Sequence, residues 1–262
     1  MGKQARVLTA GVLAAMIAGA VLAQPAAAPP LNDTRVAVST LVREDMFAGF
    51  LEGDMASLAR GEANLDKLYE SRPAERADIR SWQAGGLMYR AVLAREAGRA
   101  ADYTSLYAQA ITAMDEADAL KSTSGVVPAV GGGIGVLFAD RLAPADRTAY
   151  WERSYRYYQA ITTGQAPVAD KLPVHIRGES YAGLVTAAQR AGHTAEAGVA
   201  LDRMLVLVKG TPYEADALKW KADPSKAATM NLGCKSCHDD GRLAPTLQRL
   251  SAAAAAAAPK TP

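Results

Sequence analysis

Near its C-terminal end the chain reads Cys234-Lys235-Ser236-Cys237-His238. Two thiols three residues apart share one face of a helical turn, so both can reach one edge of a flat macrocycle. The adjacent imidazole can then pass beneath the ring to a central metal. A C-x-x-C-H run is the spacing of a c-type haem attachment site, with His238 as proximal iron ligand. Two other chemistries use these residue types. A disulfide between the two cysteines leaves the neighbouring histidine unexplained. A four-coordinate structural zinc site needs another Cys or His, and only His175 and His193 remain in the chain.

The run continues Asp239-Asp240-Gly241-Arg242, and as a whole it resembles the C-terminal signature of the class II cytochromes c, the cytochrome c′ group. The resemblance implies one covalent haem c carried on the last helix of a helical bundle. It also implies a propionate-pairing role for Arg242, four positions after His238. Members of that group usually carry an aromatic residue where this chain has Gly241. The likeness covers about ten residues.

The elements that must position this motif begin with an export signal. Lys3 and Arg6 precede an apolar run from Val7 through Leu22, and small residues end at Ala23 before Gln24. That is the pattern of a cleavable secretory signal over residues 1–23, too short and too rich in Ala and Gly for a comfortable membrane anchor. Export places the chain in the periplasm, where bacteria attach haem covalently, so the two signals agree. Losing Lys3 and Arg6 takes the formal charge from +2 to 0, which gives no basis for binding nucleic acid or an anionic membrane.

Half of the residues are hydrophobic but only 6% are aromatic, and Val/Ile/Thr-rich strand runs are scarce. With helical periods throughout, this predicts an all-α fold. After an Ala/Pro linker over residues 24–31, expected to be disordered, helices are expected from Asp33 or Thr34 to Leu51, from Asp54 to Glu70, from Ala74 to Ala97 and from Ala101 to Leu120. Residues 121–127 read as a loop. The glycines Gly131, Gly132, Gly133 and Gly135 lack both the strand and the Lys-Ser/Thr ending of a phosphate loop, so they are expected in a mobile loop or where two backbones meet closely. Further helices are expected from Pro144 to Thr162, from Pro173 to Ala191 and from Thr194, as cap, to Lys209. The first of these crowds Tyr150, Trp151, Tyr155, Tyr157 and Tyr158, as core packing rather than an aromatic ligand site. A helical domain over residues 32–209 would thus precede a haem-attachment segment over residues 210–251. In that segment a short helix bears Trp220, and Asp223-Pro224 opens the helix carrying the motif. Leu243, Leu247 and Leu250 line a terminal helix, and a polyalanine tail over residues 252–262 closes the chain.

A weak internal repeat runs through the body. Ile79-Arg80 with Gly86-Leu87 recurs 97 positions later as Ile176-Arg177 with Gly183-Leu184. Each copy leads into an Ala-Gly turn, at Ala97-Gly98 and Ala191-Gly192, and then into an amphipathic helix. Trp82, Gly86 and Tyr89 resemble the opening W-x-x-L-G-x-x-Y of the tetratricopeptide repeat, with Gly85 where leucine is usual. The resemblance implies antiparallel α–α hairpins, as a TPR-like superhelix or a bundle, ahead of the haem-bearing helix.

Only 24 residues follow His238, none of them methionine, so a downstream methionine ligand is excluded. The faces of the porphyrin must be covered by preceding helices or by a partner. For the distal side of the iron, His175 is the first candidate ligand; Met204 reads as core, Met230 lies too close along its own helix, and His193 reads as a solvated turn residue. A five-coordinate iron, common in the class II group, is the alternative. The expected function is a periplasmic monohaem cytochrome passing single electrons to a redox partner protein. The competing expectation is a helical-repeat interaction module whose haem senses NO or CO or serves as an anchor. Few histidines and no nucleophile–histidine pattern argue against hydrolytic catalysis.

Overall fold

The computed structural model describes residues 29–228 and 248–249. The export signal, the attachment residues Cys234, Cys237, His238 and Arg242, Met230, the expected terminal helix apart from those two positions, and the tail lie outside the described residues.

Among the described residues the chain is all-α, with nine α-helices, short 3-10 and π turns, and no strand. Helix α1 (Val38–Phe47) continues through a π turn to Gly53, whose left-handed φ of 73° reverses the chain. Helix α2 (Met55–Ser71) starts on Asp54, whose carboxylate accepts from the backbone N–H groups of Ala56 and Ser57 at 3.0 Å. Such a cap satisfies donors that the first turn cannot. Helix α3 (Arg76–Glu96) and helix α4 (Ala100–Ala119) turn on Gly98 at φ 71°. Helix α6 (Pro144–Gln165) opens on a proline whose missing N–H has no partner to lose. Helices α7 (Val174–Ala191) and α8 (Thr194–Leu207) turn on Gly192 at φ 89°, and α9 (Pro212–Ala222) follows.

Cross-links show that neighbours run antiparallel. Asp45 of α1 accepts from Arg60 of α2, Asp66 of α2 from Gln83 of α3, and Glu116 at the end of α4 from Arg80 at the start of α3. Arg190 lies over Trp151 while Gly183 meets Tyr158, which sets α7 against α6 in opposite senses. The expected hairpins are therefore present. Short turns between such neighbours leave the chain no other economical path.

Four expectations need correction. Of the two readings of the glycine run, the close approach holds and the loop does not: Gly131, Gly132, Gly133 and Gly135 sit inside helix α5 (Val126–Phe138). The helix pays the propensity cost of glycine because α6 lies too close for side chains. A Cβ on Gly131 would stand 2.5 Å from the ring of Tyr157, one on Gly132 2.9 Å from that of Tyr158, and one on Gly135 would overlap Ser154. The first helix begins at Val38, since Asp33 spends its carboxylate on Arg35 instead of on a helix cap. Likewise His193, not Thr194, is the cap residue of α8. The end of the expected linker is ordered: Leu31 packs against the core, and its carbonyl accepts from Arg72.

The core has two parts. The larger joins α1 to α6 around Phe50, Tyr89 and Phe138, whose rings meet edge-on or stacked, with Trp82 edge-on to Phe47 beside them. The smaller joins α7, α8 and α9 around Tyr181, Val185, Leu201, Met204 and Trp220. Because α9 buries Ala217 and Trp220 in that second cluster, the apolar body continues past Lys209 to Ala222.

Candidate functional site

The five aromatic residues of α6 are buried. Tyr157 donates to Asp118 at 2.7 Å, and desolvation with that bond holds its hydroxyl well above the ordinary range. Complete burial likewise holds the Tyr150 hydroxyl well above its ordinary range. These rings are packing that fills the glycine face of α5. Tyr158 differs from the others, because it also borders open space.

That space is a cavity of about 640 Å³ between the start of α5, the end of α6 and the start of α7. Its size falls within the range of small-molecule and cofactor sites, about 300–1,000 Å³. Helix α7 contributes His175, Ile176, Glu179 and Ser180 to its wall, and α6 contributes Tyr158, Ile161, Gly164 and Gln165. The third side is Thr123 to Gly125 with Pro128 and Ala129. The wall is mainly apolar, with a few polar groups, the usual character of a cofactor site.

Local sequence explains each placement. Leu172-Pro173 is extended, which ends the 3-10 turn Ala166–Lys171 and starts α7 at Val174. His175 therefore lies in the first turn of α7, partly exposed at the cavity wall. One turn on, buried Glu179 accepts from the Tyr213 hydroxyl at 2.9 Å, so its carboxylate is held from the α9 side. Ser124 donates to Asp78 at 2.6 Å, which fixes the loop before α5. The side-chain Oε1 of Gln165 is buried without a hydrogen-bond partner. A buried orphan acceptor is uncommon in a finished structure.

A second, smaller space of about 190 Å³ shares Tyr158 and Ala129 with the first. It is lined by Phe47, Phe50, Trp82 and Ile134 with Arg43 at its edge.

The residues singled out by sequence fall apart in an informative way. His175 borders the large cavity. Met204 is completely buried among α7, α8 and α9 and borders neither space, in agreement with its reading as core. His193 departs from a solvated turn residue: its Nε2 lies 2.7 Å from Glu152 Oε2, and its ring stacks on Tyr155 at 4.3 Å. Cys234, Cys237, His238 and Arg242 cannot be placed against this wall, being outside the described residues. Among the described residues, no cluster of three His, Cys, Asp or Glu side chains is arranged to hold a metal ion, and no helix is long and apolar enough to cross a membrane. Sequence reasoning missed Glu179, Gln165 and Ile161 as cavity residues. A signal for Glu179 existed: it stands 97 positions after Trp82, where the earlier copy of the repeat has its largest side chain.

In comparisons with known proteins, no family model, no curated protein and no solved structure matches the chain. The likeness to class II cytochromes c therefore rests on residues 234–242 alone, and that to tetratricopeptide repeats on Trp82, Gly86 and Tyr89.

Proposed function

We propose that the protein is an exported monohaem c-type cytochrome that carries single electrons to a redox partner protein. The observation that carries this reading is the run Cys234-Lys235-Ser236-Cys237-His238. Cys234 and Cys237 hold the haem covalently, His238 supplies the proximal imidazole, and Arg242 is placed to pair with a propionate. When bound, the haem supplies a one-electron couple whose potential depends on its axial ligands and burial.

The helical body supports the reading through what it offers such a group. It has a largely apolar cavity in the cofactor size range, a histidine on the wall and an unsatisfied buried amide oxygen. These residues fit a tetrapyrrole: apolar side chains exclude water from the ring, and polar groups remain for its edge. The zero net charge left after removal of residues 1–23 fits a partner protein better than nucleic acid.

The test is to express the full chain in a host that matures c-type cytochromes and to weigh the exported product. The expected mass is the processed polypeptide plus one haem, lost in the double variant Cys234→Ala/Cys237→Ala. A parent mass equal to the polypeptide alone ends the reading.

A further inference from the structure

We infer that the α5–α6–α7 cavity is the dock for the chain's own haem-bearing segment, and that His175 is the second axial ligand of the iron. The inference rests on the proposed haem attachment and deepens it, since it names which face of the body covers the ring and which residue closes the coordination.

The ligand list is short. A low-spin haem needs a second strong-field donor, commonly His or Met. Of the three histidines, His238 is committed by the motif. His193 is held by Glu152 and stacked on Tyr155, away from either open space. Met204 is fully buried in the second core cluster and could reach a ligand only by unpacking it. His175 alone of these borders a cavity of the required size, and no side-chain hydrogen bond ties its imidazole to another described residue.

The cavity also has the right chemistry for its occupant. Ile161, Ile176, Pro128 and Tyr158 offer apolar surface to the faces of the ring, and the buried side-chain Oε1 of Gln165 is an acceptor without a partner.

Reach is sufficient. The 3-10 turn Pro224–Ala228 packs on α7, with Pro224 beside Val185 and Gln189. Along α7, His175 and Val185 are ten residues apart, about 15 Å of axial rise, and rounding a helix adds about 10 Å. The six residues from Ala228 to Cys234 span about 20 Å when extended, enough for both displacements combined at right angles.

The experiment compares parent and His175→Ala as full-length haem-loaded proteins, by mass, optical spectrum and electron paramagnetic resonance. The parent is expected to show a low-spin iron with two imidazole ligands. His175→Ala keeps the mass increment of one haem over its polypeptide and the helix content, loses the low-spin signal, and binds CO in the reduced state. Added free imidazole restores the parental spectrum, which a merely structural role for His175 would not produce. A high-spin parent, or a His175→Ala spectrum identical to a low-spin parent, overturns the inference while leaving haem attachment intact. As an independent check of the dock, Ile161→Trp fills the cavity without touching a ligand. It is expected to lower the low-spin fraction at unchanged helix content, and an unaltered spectrum would put the haem elsewhere. A parent without covalent haem instead removes the reading beneath.

Discussion

The hairpin α3–α4 and the hairpin α7–α8 are two versions of one arrangement, and they differ where it matters. Six apolar positions of α4, from Tyr103 through Met114, align with counterparts in α8 and its C-cap, from Ala197 through Val208, at a constant spacing of 94 residues. Gly86 of α3 packs against α2, and Gly183 of α7 packs against α6, so both glycines sit where each hairpin crosses the preceding helix. The contrast comes at the start of the first helix. There α3 places Asp78 and Trp82, the former bonded to Ser122 and Ser124 and the latter buried against Phe47. At the same spacing α7 places His175 and Glu179, and the space is open. One copy borders a space of about 190 Å³ at Trp82, and the other a cavity of about 640 Å³ at His175 and Glu179.

The comparison can be broken most forcefully at the two arginines that clamp the chain ahead of each hairpin. Arg72 is buried and donates to the carbonyls of Leu31, Asp33 and Val36, with Glu75 beside it. Arg177 donates to the carbonyls of Asp170 and Leu172 at a more exposed site. Removing the first leaves the buried Val36 carbonyl and several part-buried acceptors unmatched, so Arg72→Ala is expected to cost about 3 kcal/mol, against about 1 kcal/mol for Arg177→Ala. Chemical denaturation of both variants measures the difference. Equal losses would mean that the two clamps carry similar weight.

The two crossing glycines sharpen the same contrast at smaller scale. A Cβ on Gly183 would overlap the buried ring of Tyr158, whereas one on Gly86 meets chiefly the Glu62 carboxylate, 2.9 Å away at the end of a flexible side chain. Overpacking costs about 1–3 kcal/mol, and alanine returns about 1 kcal/mol of helix propensity. Gly183→Ala should therefore lower the unfolding midpoint, while Gly86→Ala should leave it unchanged or raise it slightly. A stabilised Gly183→Ala would show that α6 and α7 can separate cheaply.

The smallest effect separates the hairpins by pH. Tyr103 of α4 donates to Asp146, and desolvation together with that bond pushes its hydroxyl up to about 12; its counterpart in α8 is Ala197, which has no such group. A group raised above its unfolded value of about 10 contributes stability that is complete below pH 10 and is lost as pH climbs through the folded value. Alkaline titration should thus loosen α4 from α6 between about pH 10 and 12. Tyr103→Phe should flatten that loss, seen by circular dichroism against phenolate absorbance; an unchanged profile would assign the loss to other tyrosines.

Much of the fold was legible because its punctuation is chemical. Gly53, Gly98 and Gly192 end helices with positive φ, and Asp54, Pro73 and Pro144 stand at or just before helix starts, where their side chains suit the local backbone. Helix α5 was illegible for the opposite reason. Its glycines disfavour a helix locally, and only contact with α6, which no local pattern contains, makes one worthwhile. The candidate site was half legible. His175 and the attachment motif stand out by residue type, whereas the cavity opens where α5, α6 and α7 come together, a juxtaposition that no local pattern contains.

The burial of Trp220 has a consequence for the haem proposed at Cys234 and Cys237. With α9 locked into the second core cluster, the departure point of the chain is held in place, and a haem carried beyond it would be a passenger on a short leash. Meeting the cavity is then an encounter within one molecule, at a local concentration on the order of millimolar. Even a feeble bond between the passenger and the wall would be occupied most of the time, and cutting the leash would expose how feeble it is.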